Sequence, residues 1–302
     1  TRDLLAVMIV ATRGKLLEEI LRDLVAQLLK RPDGRGLVVL LAAVAGMEAR
    51  HDRKGHSHPV TLTLLREAFR YTPEGLTVAL GALTGELTLV RRDRYAGRSA
   101  RFLFQEIRTR HPVIAETLWR VLSQGPDAPI DPMELDITLF KGAARACDHG
   151  RKATPERTFT SILLNLRAQE GDPQSARRLF ACIETHSPGN PYLWHEWGMY
   201  EKAQGNVGDL DTAYSARWLF QRGTEADGSN APLWQAWAVM EKEAGNVGDL
   251  DTAYSARWLF QRGTEADGSN APLWQAWAVM EKEAGNVGDL DTAYSARWLF
   301  QR

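Results

Sequence analysis

The chain has 302 residues, with 37 Lys and Arg against 38 Asp and Glu, a net charge of -1 and 44% hydrophobic residues. That balance describes a globular chain of two or three domains and excludes collagen-like, disordered and disulfide-stapled proteins. The longest apolar runs, Leu4–Ala11 and Leu37–Ala45, are about half of the ~20 residues that cross a bilayer, and no basic, apolar, small-residue pattern opens the chain; no membrane contact and a cytoplasmic location are expected.

Cys147 and Cys182 stand far apart without a CxxC or a His pair, which predicts reduced packing residues. Of the 10 tryptophans only Trp119 precedes residue 190, so the chain has two compositional halves. Residues 1–150 carry 22 basic and 18 acidic side chains, and the remainder 15 and 20. The chain opens on Thr1 inside an apolar helical pattern and stops at Arg302 within a repeated unit, which predicts a fragment.

The first element is an amphipathic helix over Lys15–Leu29, with Leu16, Leu17, Ile20, Leu21, Leu24, Val25 and Leu28 on one side and a stop at Lys30-Arg31-Pro32. Shorter helices follow over Leu37–Gly46, Pro59–Phe69 and Pro73–Leu83, the last with Thr72 as N-cap. Alternation then predicts strands at Leu87–Val90 and Arg101–Ile107, joined by a connection over Asp93–Ser99 that contains Gly97. Three helices and a hairpin make a winged helix-turn-helix over 34–123, after a helical segment at 1–33 and before a helical linker or degenerate repeat at 124–154. Arg91, Arg92, Arg94, Arg98, Arg101, Arg108 and Arg110 would suit a wing laid on phosphates. Against sequence-specific DNA binding, the third helix reads Glu-Gly-Leu-Thr-Val-Ala-Leu-Gly-Ala-Leu and offers a major groove no Arg, Lys, Asn or Gln.

Ile107-Arg-Thr-Arg-His-Pro-Val-Ile-Ala-Glu116, after a hairpin strand and before a helix through Trp119 and Leu122, resembles the R-H-P-x-I-A segment in winged-helix domains of STAND-type P-loop NTPases, the NACHT and NB-ARC relatives. The resemblance implies that Lys15–Leu29 is part of a helical lid. It also implies that His111 with Arg110 approaches the phosphates of ATP or ADP bound elsewhere in a full-length protein. The alternative is that His111-Pro112 caps the following helix. No G-x-x-x-x-G-K-[ST] occurs in the chain and no nucleophile–base pair stands out, so this segment is not expected to be an enzyme or to hold a cofactor itself. His51, Asp52, His56 and His58 read as a solvated loop, and Asp209 and Asp211 lack the spacing of a calcium loop, so no metal is expected.

Gly205–Ala244 is repeated letter for letter by Gly245–Ala284, and a third copy begins at Gly285. Such identity marks a recent duplication or an array whose length was altered in sequence assembly. An older copy precedes these: Ser175-Ala-Arg-Arg-Leu-Phe180 matches Ser215-Ala-Arg-Trp-Leu-Phe220, and Tyr192-Leu-Trp-His-Glu-Trp197 matches Pro232-Leu-Trp-Gln-Ala-Trp237. Its unit is shorter, and the extra residues of later copies fall in the GNVGDLDTAY loop. Each unit predicts a helix over Pro232–Ala244 and a second beginning at Ala213 with Ala216, Leu219, Phe220 and Gly223 on one face. Such a pair cannot bury its apolar stripe alone, so neighbours must stack.

The unit resembles a tetratricopeptide repeat (TPR), and more closely its half-a-TPR (HAT) variant, through Trp234, Trp237 and Glu241 on the first helix and Ala216, Arg217, Leu219, Phe220 and Arg222 on the second. The resemblance covers about 155–302 and implies a right-handed αα-hairpin solenoid. Trp234, Trp237, Trp274 and Trp277 fall at core spacing. The positions left for a ligand are His195, Met199 and Lys202, Gln235, Val239 and Lys242, and Gln275, Val279 and Lys282, which in TPR-like arrays look into the concave groove. A mainly α chain of lid remnant, winged helix and solenoid is thus expected to be the protein-binding sensor of a STAND-like signalling ATPase. The alternatives are a HAT-repeat scaffold in RNA processing and a winged-helix transcription regulator.

Overall fold

The computed structural model describes residues 15–51, 55, 57–96, 100–146, 155–288 and 293–301. The chain is mainly helical and divides into two compact units, Thr1–Cys182 and Ile183–Arg302. The helices over 155–180, assigned from sequence to the repeats, thus lie in the first unit.

In the first unit α1 (Lys15–Leu29) has the expected bounds and buries Leu21, Val25 and Leu28. Helix α2 (Gly34–Ala49) extends beyond Leu37–Gly46 at both ends because it is apolar on every side, and its residues from Leu37 to Met47 are almost all buried. A Cβ at Gly46 would lie 2.6 Å from the Trp119 ring, so glycine is what lets α2 approach α5 (Pro112–Ser123).

The sequence placed a helix start at Pro59; instead Val60–Thr61 form a short strand, β1, and α3 runs over Leu62–Phe69. Thr61 closes that helix by accepting from the Leu64 amide at 3.1 Å. Helix α4 (Pro73–Gly81) has the expected Thr72 cap, which accepts from the Gly75 amide at 3.0 Å, but ends before Leu83. Strands β2 (Leu87–Ala96) and β3 (Ala100–Thr109) pair antiparallel, so Asp93–Ala96 belong to the ladder rather than to the connection. The sheet order is β1-β3-β2, with Val60 opposite Ile107. Gly97, Arg98 and Ser99, and the side chains of Arg91, Arg92, Arg94 and Arg101, lie outside the described residues. Helices α6 (Pro132–Ala146), α7 (Pro155–Gln169) and α8 (Pro173–Phe180) complete the unit, α6 packing against α3 and α7.

Helix α9 (Cys182–His186) stands at the division. In the second unit α10 (Pro191–Ala203) packs on α11 (Ala216–Ala226), α12 (Ala231–Glu243) on α13 (Ala256–Ala266), and α14 (Ala271–Glu283) on α15 (Ala296–Leu299). The first helices of successive repeats, α10, α12 and α14, also touch in order. The second helices do not begin at Ala213. Ser215 is the N-cap, its hydroxyl accepting from the Trp218 amide at 3.2 Å, and Ala213 and Tyr214 belong to the preceding turn. Phe220, Leu233, Trp237, Phe260, Leu273 and Trp277 fill the core, each at most 1% exposed. A Cβ on Gly223 would lie 2.6 Å from the Leu233 side chain, so this glycine sets how closely α11 meets the next repeat.

Candidate functional site

One buried carboxylate per repeat ties each first helix to the second helix before it. Glu241 is 1% exposed. Its Oε1 accepts from Arg217 Nε at 2.7 Å and from Trp237 Nε1 at 3.2 Å, and its Oε2 from Arg217 Nη2 at 3.0 Å and Asn246 Nδ2 at 2.9 Å. Asn246 also donates to the Tyr254 carbonyl at 3.2 Å. The cluster therefore ties the second helix of one repeat to the first helix of the next and to the loop beyond it. Glu281 repeats it with Arg257, Trp277 and Asn286 at 2.8–3.1 Å. The hydrogen bonds to Glu241 hold the Arg217 guanidinium above its ordinary value against the opposing effect of burial. A buried ion pair survives desolvation only with its remaining lone pairs satisfied, as here.

The inserted loop supplies an aromatic partner. Trp234 stacks with Trp237 at 6.2 Å, Trp237 with Tyr254 at 5.6 Å, Tyr254 meets Trp258 at 5.3 Å and Trp258 returns to Trp234 at 6.1 Å. The four rings close a circuit, repeated by Trp194, Trp197, Tyr214 and Trp218. Tyr254 reaches it from φ 63°, a left-handed backbone that costs a side chain about 1–2 kcal/mol. The tryptophans are thus packing residues, as their spacing predicted. Trp234 and Trp274, only partly buried, donate to the Gly228 and Gly268 carbonyls at 2.8 Å.

On this frame Gln235, Val239 and Lys242 of α12 and Gln275 and Val279 of α14 meet along one shallow groove of 380 Å³, lined also by Pro272 and Ala276. His195, Met199 and Lys202 hold the corresponding positions of α10, and Lys282 that of α14, outside this lining. The lysines are not all free for a ligand: Lys202 pairs with Glu243 at 2.7 Å and Lys242 with Glu283 at 2.5 Å, each linking one first helix to the next. Gln235 Nε2 lies 3.4 Å from the Pro272 carbonyl, and Gln275 is exposed. Burial pushes the His195 imidazole below its ordinary value, with Glu196 opposing.

In the first unit His111 and Arg110 are both engaged within the fold. His111 is the N-cap of α5, its Nδ1 accepting from the Val113 amide at 3.2 Å. A neutral imidazole that accepts at Nδ1 carries its proton on Nε2. The Arg110 guanidinium donates to the Thr84 carbonyl through Nε at 3.2 Å and through Nη2. A larger cavity of 540 Å³ lies among α3, α4 and the sheet, with Leu62, Leu76, Leu80, Leu87 and Ile107 in its lining and Arg66 as its one charged residue. Two of its four threonines, Thr77 and Thr84, donate to the Pro73 and Gly81 carbonyls.

A buried cluster here had no sequence signal. Asp136, 0% exposed, receives Arg50 through two bonds at 2.7 and 2.8 Å and Arg167 at 2.6 Å. Burial works against the Arg50 charge, but Asp136 and then Glu170 outweigh it and hold the guanidinium above its ordinary value. Arg50 Cζ also lies 5.3 Å from the Trp119 ring centroid. Among the described residues no group of three or more His, Cys, Asp or Glu could hold a metal ion, and no helix is long and apolar enough to cross a membrane. Asp52 and His56 lie outside them.

Family models, curated proteins and solved structures were each compared with this chain, and none matches.

Proposed function

We propose that this chain is the recognition and coupling region of a STAND-type signalling ATPase, with no catalytic centre of its own. In this reading the first unit comprises a lid helix, α1, and a winged helix-turn-helix, and the second is a right-handed TPR/HAT-like solenoid whose concave face takes a protein or peptide ligand in the cytoplasm. The observation that carries it is the groove formed by Gln235, Val239, Gln275 and Val279 on first helices linked by Lys242–Glu283 and each braced on the preceding second helix, by Glu241–Arg217 and Glu281–Arg257. A rigid, repeated face of amides and aliphatic side chains suits a peptide surface and has no acid–base pair for chemistry. Nucleic acid suits it less, because Gly205–Ala244 carries six acidic against three basic side chains.

A ligand that binds one arrangement of the upstream switch more tightly shifts the switch by that difference in affinity. His111 is the residue through which the winged helix senses a nucleotide, offering Nε2–H to a phosphate while Nδ1 caps α5. The test is ligand-triggered ADP release from the full-length protein. Gln275→Glu with Val279→Glu, both at exposed positions of the groove, is expected to abolish the ligand's effect and leave unfolding unchanged; an unaltered ligand effect in that variant refutes the reading.

A further inference from the structure

Because Gly205–Ala244 and Gly245–Ala284 are identical, the junctions of α11 with α12 and of α13 with α14 are built from the same residues. They also share one geometry. Arg217 Nε and Nη2 meet Glu241 at 2.7 and 3.0 Å, and Arg257 meets Glu281 at 2.8 and 3.0 Å. A Cβ on Gly223 would lie 2.6 Å from the Leu233 side chain, and one on Gly263 2.9 Å from that of Leu273. We infer that the partner fitted to these junctions is a second copy of this chain: two chains exchange the helices beyond a junction, and the α11/α12 junction of one exchanges with the α13/α14 junction of the other as readily as with its own counterpart.

Identity selects the occupant. Arg217 and Gly223 are complemented by Glu241 and Leu233 of the helix APLWQAWAVMEKE, and that helix stands at α12 and again at α14. Suppose one chain opens before α12 and the other before α14. The first chain's α11 then receives the second's α14, and the second's α13 receives the first's α12. Each buried carboxylate regains an arginine and each glycine a leucine. One solenoid becomes a repeat shorter and the other a repeat longer, with the same contacts at every junction. The older repeat does not take part, since α10 has His195 and Met199 where α12 and α14 have glutamine and valine.

The hinges are the turns at 227–230 and 267–270. Ser229 donates to Asp227 Oδ1 through its amide at 3.0 Å and its hydroxyl at 2.6 Å, and the Asn230 amide donates to the Asp227 carbonyl at 3.2 Å. Ser269, Asp267 and Asn270 repeat these bonds. Opening a turn therefore breaks bonds local to it, while docking on a second chain restores the junction. Exchange of identical elements is for this reason a low-cost route to association.

The test reads which repeats touch. Lys202–Glu243 and Lys242–Glu283 are ion pairs of 2.7 and 2.5 Å with half-exposed carboxylates, so a carbodiimide joins each as an amide and takes up the water released. In the exchange between different junctions, Lys202 of one chain meets Glu283 of the other; within one chain α12 stands between their helices. The whole 302-residue chain carries Asp251→Glu, an exposed change that gives the otherwise identical peptides around Glu243 and Glu283 different masses. Unlabelled and heavy-isotope-labelled chains are mixed, partly unfolded in urea and returned to native buffer at about 1 and about 100 µM, then crosslinked and separated by size.

The expected result is a dimer that increases with concentration and contains Lys202–Glu283 links between unlabelled and labelled peptides. With equal junctions half of the pairings are of different junctions, each placing one of its two Lys202 side chains on Glu283, so about a quarter of the dimer's Lys202 links run to Glu283. A dimer whose mixed-label links join Lys202 to Glu243 alone overturns exchange between different junctions. A Lys202–Glu283 link confined to monomers shows a repeat looped out of one chain and overturns the second copy as partner. Chains that stay monomeric at both concentrations without that link overturn the proposal outright.

Discussion

Glu241 and Arg217, 24 residues apart and on different repeats, meet through two hydrogen bonds of 2.7 and 3.0 Å around a carboxylate that is 1% exposed. This contact explains why the repeat carries Trp, Glu and Arg where it does: Trp237 donates to the same carboxylate, and the arginine comes from the preceding helix pair. Removing one member strands the other. Glu241→Ala is therefore expected to destabilise the chain by about 3–5 kcal/mol, and Arg217→Ala by a similar amount. The double change should cost clearly less than the sum of the two. Urea unfolding of the three variants checks this; additive losses would show that the two residues act separately.

The inserted loop places Tyr254 at φ 63° to close the ring circuit. Tyr254→Ala loses the stacking and keeps the left-handed backbone, while Tyr254→Gly loses the stacking and relaxes it. The glycine variant is expected to be more stable than the alanine variant by about 1 kcal/mol, with both below the parent and with reduced near-ultraviolet circular dichroism. Equal stabilities would remove the backbone argument.

Long, strongly patterned elements were legible in the sequence. α1 has its expected bounds because one face is apolar for its whole length, and the paired helices of the repeats follow from their spacing. The short strand β1 was missed because alternation needs more than the two residues Val60 and Thr61 to show; the pairing with Ile107 makes them a strand. Tyr214 was drawn into a helix that begins at Ala216, since its positive φ comes from the ring contacts around it. Helical spacing placed Gln235, Val239, Lys242, Gln275 and Val279 on one side of the first helices, where they line a common groove, while His195, Met199, Lys202 and Lys282 lie outside it. The pairing of Lys242 with Glu283 joins successive repeats, and only packing reveals it. The same holds for Asp136, whose partners Arg50 and Arg167 lie 86 and 31 residues away.

That cluster gives the third prediction. Asp136→Ala leaves two guanidinium groups buried without their shared carboxylate and is expected to destabilise the first unit by about 3–5 kcal/mol. A loss below about 1 kcal/mol in thermal unfolding would mean that water reaches the arginines once the carboxylate is gone.

His111 offers a separation of roles. His111→Ala removes the cap of α5 and is expected to cost about 0.5–2 kcal/mol, while His111→Asn supplies another capping side chain and costs less. If the imidazole also senses nucleotide, the asparagine variant of the full-length protein retains stability yet changes ADP release. Unchanged release with retained stability would make His111 a cap and nothing more.

His195 carries a pH dependence. Burial lowers its folded value below the ordinary 6.5, so protonation favours the unfolded chain. Its contribution to stability is therefore intact above that ordinary value and falls as pH drops towards the folded value, with a slope of at most about 1.4 kcal/mol per pH unit. His195→Gln, the residue found at the same place in the later repeats, should flatten this part of the profile. A profile unchanged by the substitution would assign the acid sensitivity to other groups.

The central claim, that the first-helix face is where a protein ligand sits, is tested most directly by placing a photo-crosslinking amino acid in the full-length protein at Gln235, at Gln275 and, as control, at Ser229 in the turn before α12. The account predicts one common adduct from the two groove positions, suppressed by an excess of the unlabelled chain and absent from the control. An adduct of equal yield from Ser229, or none from either glutamine position while the ligand still triggers ADP release, would contradict it.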